Sequence, residues 1–390
     1  MERGSEVGTP RAGKGGQIVF LTGAFKIARI FGIDIEIDYS WLIIFSLVTW
    51  TLSTGFYPIN FPELSLNTNI ILGTVTSIVF FASVIFHELA HSLVAKINGL
   101  EIHKITLFLF GGASQIAEEP QTAKVEFKMA AAGPLSSLFL AVLFWVVSSS
   151  FANLLPIYRL PLLFLAEINL ILAIFNLVPG FPMDGGRILR SIIWHITKDF
   201  YKSTRIAAAG GKIVAFGLIA WGASRIILVG DISGTWMILI GFFLNQAASS
   251  SLQQLKIKQV LQKIEVKELM ENPISIPSGS PISEGIRDYV TKFKTDNFPV
   301  TKNNQVIGIV DLNDAKSVPE DKWDETTIDK IMKPIDSSYV VSEEDKALKA
   351  LSIMDAKHIS KVPVINKLNK FVGLITDQGL DYYLTLELKP

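Results

Sequence analysis

Long apolar runs without charge alternate with short polar segments over the first two thirds of the chain. Six of these runs are long enough to form helices that cross a bilayer with a modest tilt. They fall within Tyr39–Tyr57, Asn69–Ile97, Met129–Phe151, Leu162–Val178, Arg205–Val229 and Ser233–Ser251. The second overlaps a stretch of 23 consecutive uncharged residues, from Leu64 to Phe86. The pattern therefore predicts a mainly α membrane domain of six transmembrane helices over residues 38–252.

The segments on either side of this domain have other patterns. Residues 1–37 begin with a polar, glycine-rich stretch and continue with short apolar runs interrupted by charges. We expect a disordered tail and then a juxtamembrane segment, and we see no cleavable signal peptide. Residues 253–264 form a polar helical linker. From residue 265 onward, short helical and strand patterns repeat after about 60 residues, which indicates two units over 265–326 and 327–390.

Charge and composition restrict the class of protein. Hydrophobic residues make up 49% of the 390 residues and charged residues only 18%. Basic residues concentrate before the first span, between spans two and three, between spans four and five, and after span six. Such loops stay in the cytosol, so both termini are predicted to be cytosolic in a multi-pass protein of the cell membrane. The net charge is zero, and we expect no nucleic-acid partner.

The second span ends in the sequence His87-Glu88-Leu89-Ala90-His91. On a helix, His87 and His91 lie one turn apart on the same face, so both imidazoles can reach one Zn²⁺ ion. Glu88 can accept the proton of a zinc-bound water. Ionisable groups are costly at the end of a membrane-length helix unless they serve a function. With no cysteine in the chain, only His, Asp and Glu remain as metal ligands.

A third ligand is predicted from the topology. Span four runs in the same direction as span two and leads into Pro179, Gly180 and Pro182, which interrupt the helix before Asp184. Asp184 therefore arrives at the membrane face where the histidines lie, and it is the best placed candidate. The alternative is an ordinary interfacial aspartate after a helix that ends in proline and glycine. His103 and His195 are rival ligands, which we expect instead to be structural or solvated.

Between spans two and three, residues 105–116 are too short for a span, and Gly111-Gly112 divides them like a hairpin turn. An open strand edge at membrane depth is tolerated only beside protein or a cavity. Such a re-entrant hairpin could pair its edge with an extended substrate segment. The alternative, which the sequence does not exclude, is a surface loop with two short strands.

With these residues identified, the membrane part resembles the site-2 protease family of intramembrane zinc metalloproteases, peptidase M50. The resemblance covers residues 31–251. It rests on the HELAH motif at 87–91, the FGG motif at 110–112, Gly133-Pro134, and the NLVPGFPMDGG motif at 176–186. It implies that one Zn²⁺ is bound by His87, His91 and Asp184, with Glu88 as the catalytic base. It also implies that Asn176 contacts the main chain of the substrate, and we add Gly111 and Gly112 as substrate contacts.

The repeated C-terminal region resembles a tandem pair of CBS domains, an α/β module that commonly binds adenine nucleotides between its repeats. That family's nucleotide signature ends in an aspartate that holds the ribose. The first repeat keeps this aspartate as Asp314 but has Asp311 in place of a hydroxyl residue. The second keeps the hydroxyl residue as Thr376 but loses the aspartate. Two roles remain open: nucleotide binding at Asp314 and Thr376, or a docking module that supports a homodimer.

We therefore expect an intramembrane zinc endopeptidase that hydrolyses peptide bonds in or near transmembrane segments of membrane-bound regulatory substrates. Its partners would be the lipid bilayer and the membrane-protein substrate, and the cytosolic CBS pair would modulate or assemble it. One alternative is a CBS-regulated transporter or channel, which would carry polar residues along several spans. Another is a catalytically inactive relative that only binds membrane partners.

Overall fold

The computed structural model describes residues 23–109, 111–116, 120–150, 156–285, 289, 297–335, 337–357 and 359–388. The predicted disordered tail, residues 1–16, lies outside the described residues. The chain divides into two compact units, with the boundary between Gln253 and Gln254. Each unit is described by itself.

The first unit is mainly helical, as predicted. Helices α1 to α6 cover Trp41–Asn60, Leu66–Ile97, Ala123–Ser150, Pro156–Asn176, Asp184–Thr197 and Phe200–Val229. Helix α7, Gly234–Leu261, begins in this unit and ends past the boundary. Among the described residues, five helices are long and apolar enough to cross a membrane, namely α1 to α4 and α6. Helix α7 corresponds to the sixth predicted span but is not in this set, and Asn245 and Gln246 interrupt its apolar sequence. That α7 crosses the membrane stays a prediction.

Helix α3 is central to the packing of this unit, since it contacts α2, α4 and α5. Its buried face consists largely of small residues, including Ala130, Gly133 and Ser137. Small side chains let helix backbones approach closely, which is how membrane helices gain packing contacts without a hydrophobic driving force. Large side chains such as Phe139 and Trp145 are 58% exposed on the opposite side, where lipid would cover them.

A four-stranded sheet accompanies the helices, in the spatial order β1-β2-β3-β4. Its strands are Ala24–Ile30, Ile33–Asp38, Ile102–Phe108 and Gly111–Ile116. The β1–β2 and β3–β4 pairs are antiparallel, and β2 pairs with β3 in parallel. Ile33, Ile35 and Ile105 pack with Leu89 of α2 in one buried cluster. The sheet therefore lies directly against the helix turn that carries Glu88.

Two details of this sheet differ from the sequence analysis. Residues 24–38 were expected only as a juxtamembrane segment, whereas they form a hairpin that turns at Phe31 and Gly32, both with positive φ. The predicted β3–β4 hairpin is present, but the glycine pair lies within its second strand and does not form the turn. Gly111 and Gly112 begin β4. Phe110 lies outside the described residues.

The second unit contains the two predicted repeats. The sheet of the first consists of β5 (Ile276–Pro277), β6 (Asn297–Lys302) and β7 (Gln305–Asp311), joined by β8 (Lys333–Pro334) from the start of the second. The sheet of the second consists of β9 (Val341–Ser342), β10 (Lys361–Ile365) and β11 (Phe371–Thr376). Helices α8 to α12 cover Val266–Leu269, Ile282–Glu284, Leu312–Lys316, Ala347–Lys357 and Asp377–Glu387. In each repeat an antiparallel hairpin pairs with a short parallel strand, β5 with β6 and β9 with β10.

The two repeats exchange their first turns. Val266, at the start of the first repeat, is fully buried in the core of the second, beside Val341 and Val364. Ile328, at the corresponding position of the second repeat, is buried in the core of the first, beside Phe298. Each repeat therefore completes the hydrophobic core of the other, so we expect the pair to fold as one body.

Candidate metal centre

The two histidines of the HELAH motif lie on α2 and point in the same direction. Both are nearly inaccessible, with 4% and 5% of their surface exposed for His87 and His91. Their Nε2 atoms are 3.2 Å apart. Because residues four apart share a helix face, the regular backbone of α2 alone is enough to bring the two imidazoles together.

Asp184 reaches the histidines from a separate segment of the chain. Helix α4 ends at Asn176, and α5 begins at Asp184 after an irregular connection, as the Pro/Gly pattern predicted. The Asp184 Oδ2 atom lies 3.1 Å from the Nε2 atom of His87 and 3.1 Å from that of His91. Burial acts to raise the pKa of the Asp184 carboxyl, but contacts with the two imidazoles outweigh it and hold that pKa below its ordinary value. A carboxylate oxygen this close to both imidazole nitrogens is suited to share a cation with them.

Glycines make the connection before Asp184 compact. A Cβ atom on Gly186 would collide with the backbone of Gly180, and one on Gly185 would collide with the backbone of Leu177. Only residues without a side chain allow α5 to start this close to the preceding loop. The double glycine thus sets where the carboxylate of the neighbouring Asp184 lies.

The three donor atoms fit a zinc ion. Zinc bond lengths of about 2.0–2.1 Å in a tetrahedral site place ligand atoms about 3.3–3.4 Å apart. The three distances among Nε2 of His87, Nε2 of His91 and Oδ2 of Asp184 are 3.2, 3.1 and 3.1 Å. The three atoms therefore outline one triangular face of such a site, and a fourth position remains for water or substrate.

The other imidazole nitrogens are held by α3. Nδ1 of His91 donates to the carbonyl oxygen of Met129 at 2.6 Å, and Nδ1 of His87 lies 2.9 Å from Oγ of Ser137. Because a carbonyl oxygen can only accept, neutral His91 carries its proton on Nδ1 and presents a lone pair on Nε2. This is the tautomer that binds a metal through Nε2, with the orienting partner that metal-binding histidines usually have.

Gly133 lies beneath the cluster on the same helix. A Cβ atom at this position would collide with Nε2 of His91 and would lie 2.6 Å from Nε2 of His87. The Gly133-Pro134 pair was singled out in the sequence, but Ser137 and Met129 were not. A serine four residues after that glycine, on the same helix face, was the signal that could have found Ser137.

Glu88 lies half-buried beside the cluster and against the sheet. A Cβ atom on Gly112 of β4 would be 2.5 Å from Cγ and 2.9 Å from Cδ of Glu88. The glycine therefore leaves the space that the Glu88 side chain occupies. This contact brings together the glutamate of the helix motif and the first residues of the edge strand β4, where Gly111 and Gly112 were expected to meet the substrate.

The remaining candidates lie elsewhere. Asn176 is at the end of α4, and its side-chain amide donates to the carbonyl oxygen of Leu172 at 3.1 Å. His195 is exposed on α5 and is not part of the three-residue cluster. The side chain of His103 lies outside the described residues. Among the described residues, the only group of three or more His, Asp or Glu donors that could hold a metal is His87, His91 and Asp184.

In the CBS pair, both predicted nucleotide contacts are engaged within the protein. Asp314 accepts the backbone N–H of Asp311 at 3.1 Å and forms an ion pair with Lys333 at 2.9 Å. The Thr376 hydroxyl donates to Glu271 at 2.6 Å and accepts the backbone N–H of Gly379 at 2.9 Å, which caps α12. Lys333 offsets the negative charge of Asp314, and the sequence analysis did not predict this cation.

Comparison with known families agrees with this architecture. The model of Peptidase family M50 matches residues 75–155 and 155–221, and the CBS domain model matches residues 266–320 and 328–384. A putative zinc metalloprotease of Synechocystis is 36% identical over 365 residues, which cover 93% of this chain and 95% of the relative. A zinc metalloprotease of Methanocaldococcus jannaschii is 31% identical, covering 82% of this chain and 85% of the relative.

The solved site-2 protease from Methanocaldococcus jannaschii is 32% identical to this chain, with a TM-score of 0.42. It aligns with 59% of this chain and 95% of its own length. From the family model and the curated relatives, the chain belongs to Peptidase family M50. It is a membrane zinc metalloendopeptidase with a C-terminal CBS pair, which confirms the resemblances drawn from its motifs.

Proposed function

We propose that this protease cleaves membrane-bound substrates at a zinc site formed by His87, His91 and Asp184, with Glu88 as the general base. The observation that carries the proposal is the convergence of three donor atoms within 3.2 Å of one another, beside a glutamate. A bound Zn²⁺ lowers the pKa of its water and polarises the scissile carbonyl. The residues of this chain supply the other parts of the reaction.

Glu88 has the position that a general base requires. It follows His87 on α2, and the small Gly112 keeps open the space next to its carboxylate. Glu88 would take the proton from the attacking water and deliver it to the leaving amine nitrogen. The Asp184 carboxylate and the two imidazoles would be occupied as metal ligands, which leaves Glu88 as the group of this cluster that can carry the proton.

The substrate must be extended at the scissile bond, because the amides of a helix are already paired. Strand β4 is at the edge of the sheet, and Gly112, its second residue, lies beside Glu88. We infer that an unwound substrate segment pairs with this edge by β-strand addition. Asn176 would then contact the substrate main chain after releasing the carbonyl oxygen of Leu172.

The alternative of a transporter or channel would require polar groups spread along several spans. Buried Asn, Ser and Thr side chains do occur along several spans, but the buried His, Asp, Glu, Lys and Arg side chains of the described spanning helices are His87 and His91 near the end of α2 and Glu126 near the start of α3. A catalytically inactive relative would have no need of the preassembled donor triangle. Both observations favour the protease, as does membership of the M50 family.

A Glu88→Gln variant tests the role of Glu88, with Glu167→Gln as a matched control, since Glu167 is an exposed glutamate in the spanning helix α4. Membranes from cells making each chain would be compared by mass spectrometry of new termini in single-span membrane proteins. We expect Glu88→Gln to abolish new termini while zinc content stays at the wild-type level, and Glu167→Gln to behave as the wild type. Unimpaired cleavage by Glu88→Gln would refute the assignment.

We further propose that the CBS pair faces the cytosol and modulates the protease, either by binding an adenine nucleotide or by docking and homodimer formation. Calorimetric titration of the full-length chain with ATP and AMP separates the two roles. Saturable heat that Thr376→Val removes would support the nucleotide role. No binding at millimolar nucleotide would leave the docking role. That role would then be tested by measuring the mass of the solubilised protein, which should be that of a dimer.

A further inference from the structure

One face of α3 carries four residues that bear on the metal centre, although α3 contributes no ligand. Glu126, Met129, Gly133 and Ser137 are spaced by three, four and four residues, so they lie on the same side of the helix. Ser137 contacts His87, Met129 holds His91, and Gly133 lies beneath both imidazoles. Glu126 continues this face by one turn and has a different partner.

Glu126 forms a buried ion pair with Arg190 of α5. The Glu126 side chain is fully inaccessible, and that of Arg190 is 10% exposed. Nε of Arg190 donates to Oε1 of Glu126 at 2.6 Å, and Nη2 donates to the same oxygen. The guanidinium also lies over the rings of Phe181 and Phe200, at 5.0 and 4.7 Å from their centroids. Arg190 is thus fixed from three directions.

A buried ion pair is weak evidence for stability, because desolvating two charges offsets most of their attraction. The presence of such a pair is better explained by a role in fixing the relative position of the two helices that carry it. Arg190 lies six residues after Asp184 on the same helix, a distance of about 9 Å along its axis. Fixing Arg190 to α3 therefore fixes the axial position and rotation of the helix that presents the third donor.

Arg190 also restrains the segment that precedes α5. Phe181, whose ring faces the Arg190 guanidinium, lies three residues before Asp184, and its backbone N–H donates to the carbonyl oxygen of Ala207. Asp184 is therefore held on both sides in sequence, by Phe181 before it and by Arg190 after it. The ion pair thus adds a restraint after Asp184 to those that the glycine connection and the Phe181–Ala207 hydrogen bond supply before it.

We propose that Glu126 and Arg190 are positioning residues, which hold the Asp184 carboxylate at bonding distance from the metal shared with His87 and His91. This inference rests on the proposed zinc site. On this account, one face of α3 orients all three ligands: His87 through Ser137, His91 through Met129, and Asp184 through the Glu126–Arg190 pair.

The test uses full-length protein in detergent and three variants: Glu126→Gln, Arg190→Lys, and the double variant Glu126→Gln with Arg190→Gln. Glu126→Gln keeps one oxygen acceptor in a side chain of nearly the same shape, removes the charge and places an amide NH₂ where Oε2 lies without a hydrogen-bond partner among the described residues. The double variant leaves no uncompensated buried charge, so it is expected to fold even if a single variant does not. Asp231→Asn and Arg225→Lys are matched controls, because Asp231 and Arg225 form a more exposed ion pair at the end of α6.

Two readouts are measured below the unfolding midpoint of each variant: zinc affinity by competition with a chelator, and the visible absorption spectrum of the Co²⁺-substituted protein. Loss of a supporting contact to a metal ligand typically costs about 10–100-fold in affinity. We expect losses of that size and an altered Co²⁺ spectrum for the three variants, with both controls unchanged. A merely structural pair would lower the unfolding midpoint without changing either readout.

The possible failures are distinguishable. Wild-type zinc affinity and spectrum in the folded double variant would overturn the positioning role and leave the zinc site intact. A wild-type chain that binds no zinc would overturn the proposed function itself, and the positioning role with it.

Discussion

The carboxylate oxygen Oδ2 of Asp184 lies 3.1 Å from Nε2 of His91, although 93 residues separate them in the chain. The two residues are carried by different helices, α5 and α2, and the intervening α3 contacts both of these helices. The metal centre therefore depends on how α3 is packed as much as on the ligands themselves. The first two predictions test this dependence.

Replacing Ser137 with Ala removes the hydroxyl that contacts Nδ1 of His87 at 2.9 Å. The imidazole loses the partner that fixes its orientation, so we expect zinc affinity to fall by about 10–100-fold. Ser136→Ala is the matched control, because the Ser136 hydroxyl donates to the carbonyl oxygen of Gly133 and does not contact the cluster. The zinc affinity of both variants is measured by competition with a chelator. Equal loss in the two variants would show a general effect on α3 instead.

Replacing Gly133 with Ala places a methyl group against the Nε2 atoms of both histidines. The imidazoles must move apart, so we expect zinc affinity to fall by at least about 100-fold, the upper end of what a lost supporting contact costs. Gly217→Ala in α6 is the control, since its Cβ atom would meet nothing within 4 Å. Zinc analysis of the two purified variants decides the matter, and a fully zinc-loaded Gly133→Ala chain would count against the arrangement.

Replacing Gly112 with Ala tests the role of Glu88 as general base independently of the role of the metal ligands. The added methyl group would collide with the Glu88 side chain and not with the imidazoles, so zinc should remain bound. We expect the cleavage rate to fall by about 100-fold, the lower end of what a general base contributes. Turnover would be measured by new substrate termini, together with zinc content in the same preparation. Loss of zinc alongside loss of cleavage would contradict the independence of the two roles.

The absence of cysteine allows the membrane topology to be tested with single cysteines on an unlabelled background. We expect a membrane-impermeant maleimide to label Glu63→Cys and Ile232→Cys in intact cells. Lys202→Cys and Lys263→Cys should be labelled only after the membrane is permeabilised. Labelling of Lys263→Cys from outside would show that α7 does not cross and that the CBS pair is not cytosolic.

Much of the centre could be predicted from sequence because its information is local. His87 and His91 are four residues apart and share a helix face. Pro179, Gly180 and Pro182 predict that the helix ends before Asp184. The donor set follows once the two segments are placed at the same membrane face.

The partners of these residues are not local. The Glu126–Arg190 pair joins residues 64 positions apart, and Met129 acts through its backbone carbonyl, which any residue possesses. Neither contact leaves a sequence pattern. The first hairpin was a different kind of omission: the strict alternation of Ile33, Ile35 and Ile37 with acidic residues is a strand signal. It was outweighed by the expectation of an interfacial segment beside the first span.

The most direct test of the whole account is the zinc-to-protein ratio of the purified full-length chain, measured by mass spectrometry for the wild type, Glu88→Gln and Asp184→Ala. Three ligands on α2 and α5 predict a ratio near one for the wild type and for Glu88→Gln. They predict a ratio near zero for Asp184→Ala after dialysis against a weak chelator. A wild-type ratio retained in Asp184→Ala would contradict the claim that this distant carboxylate completes the site.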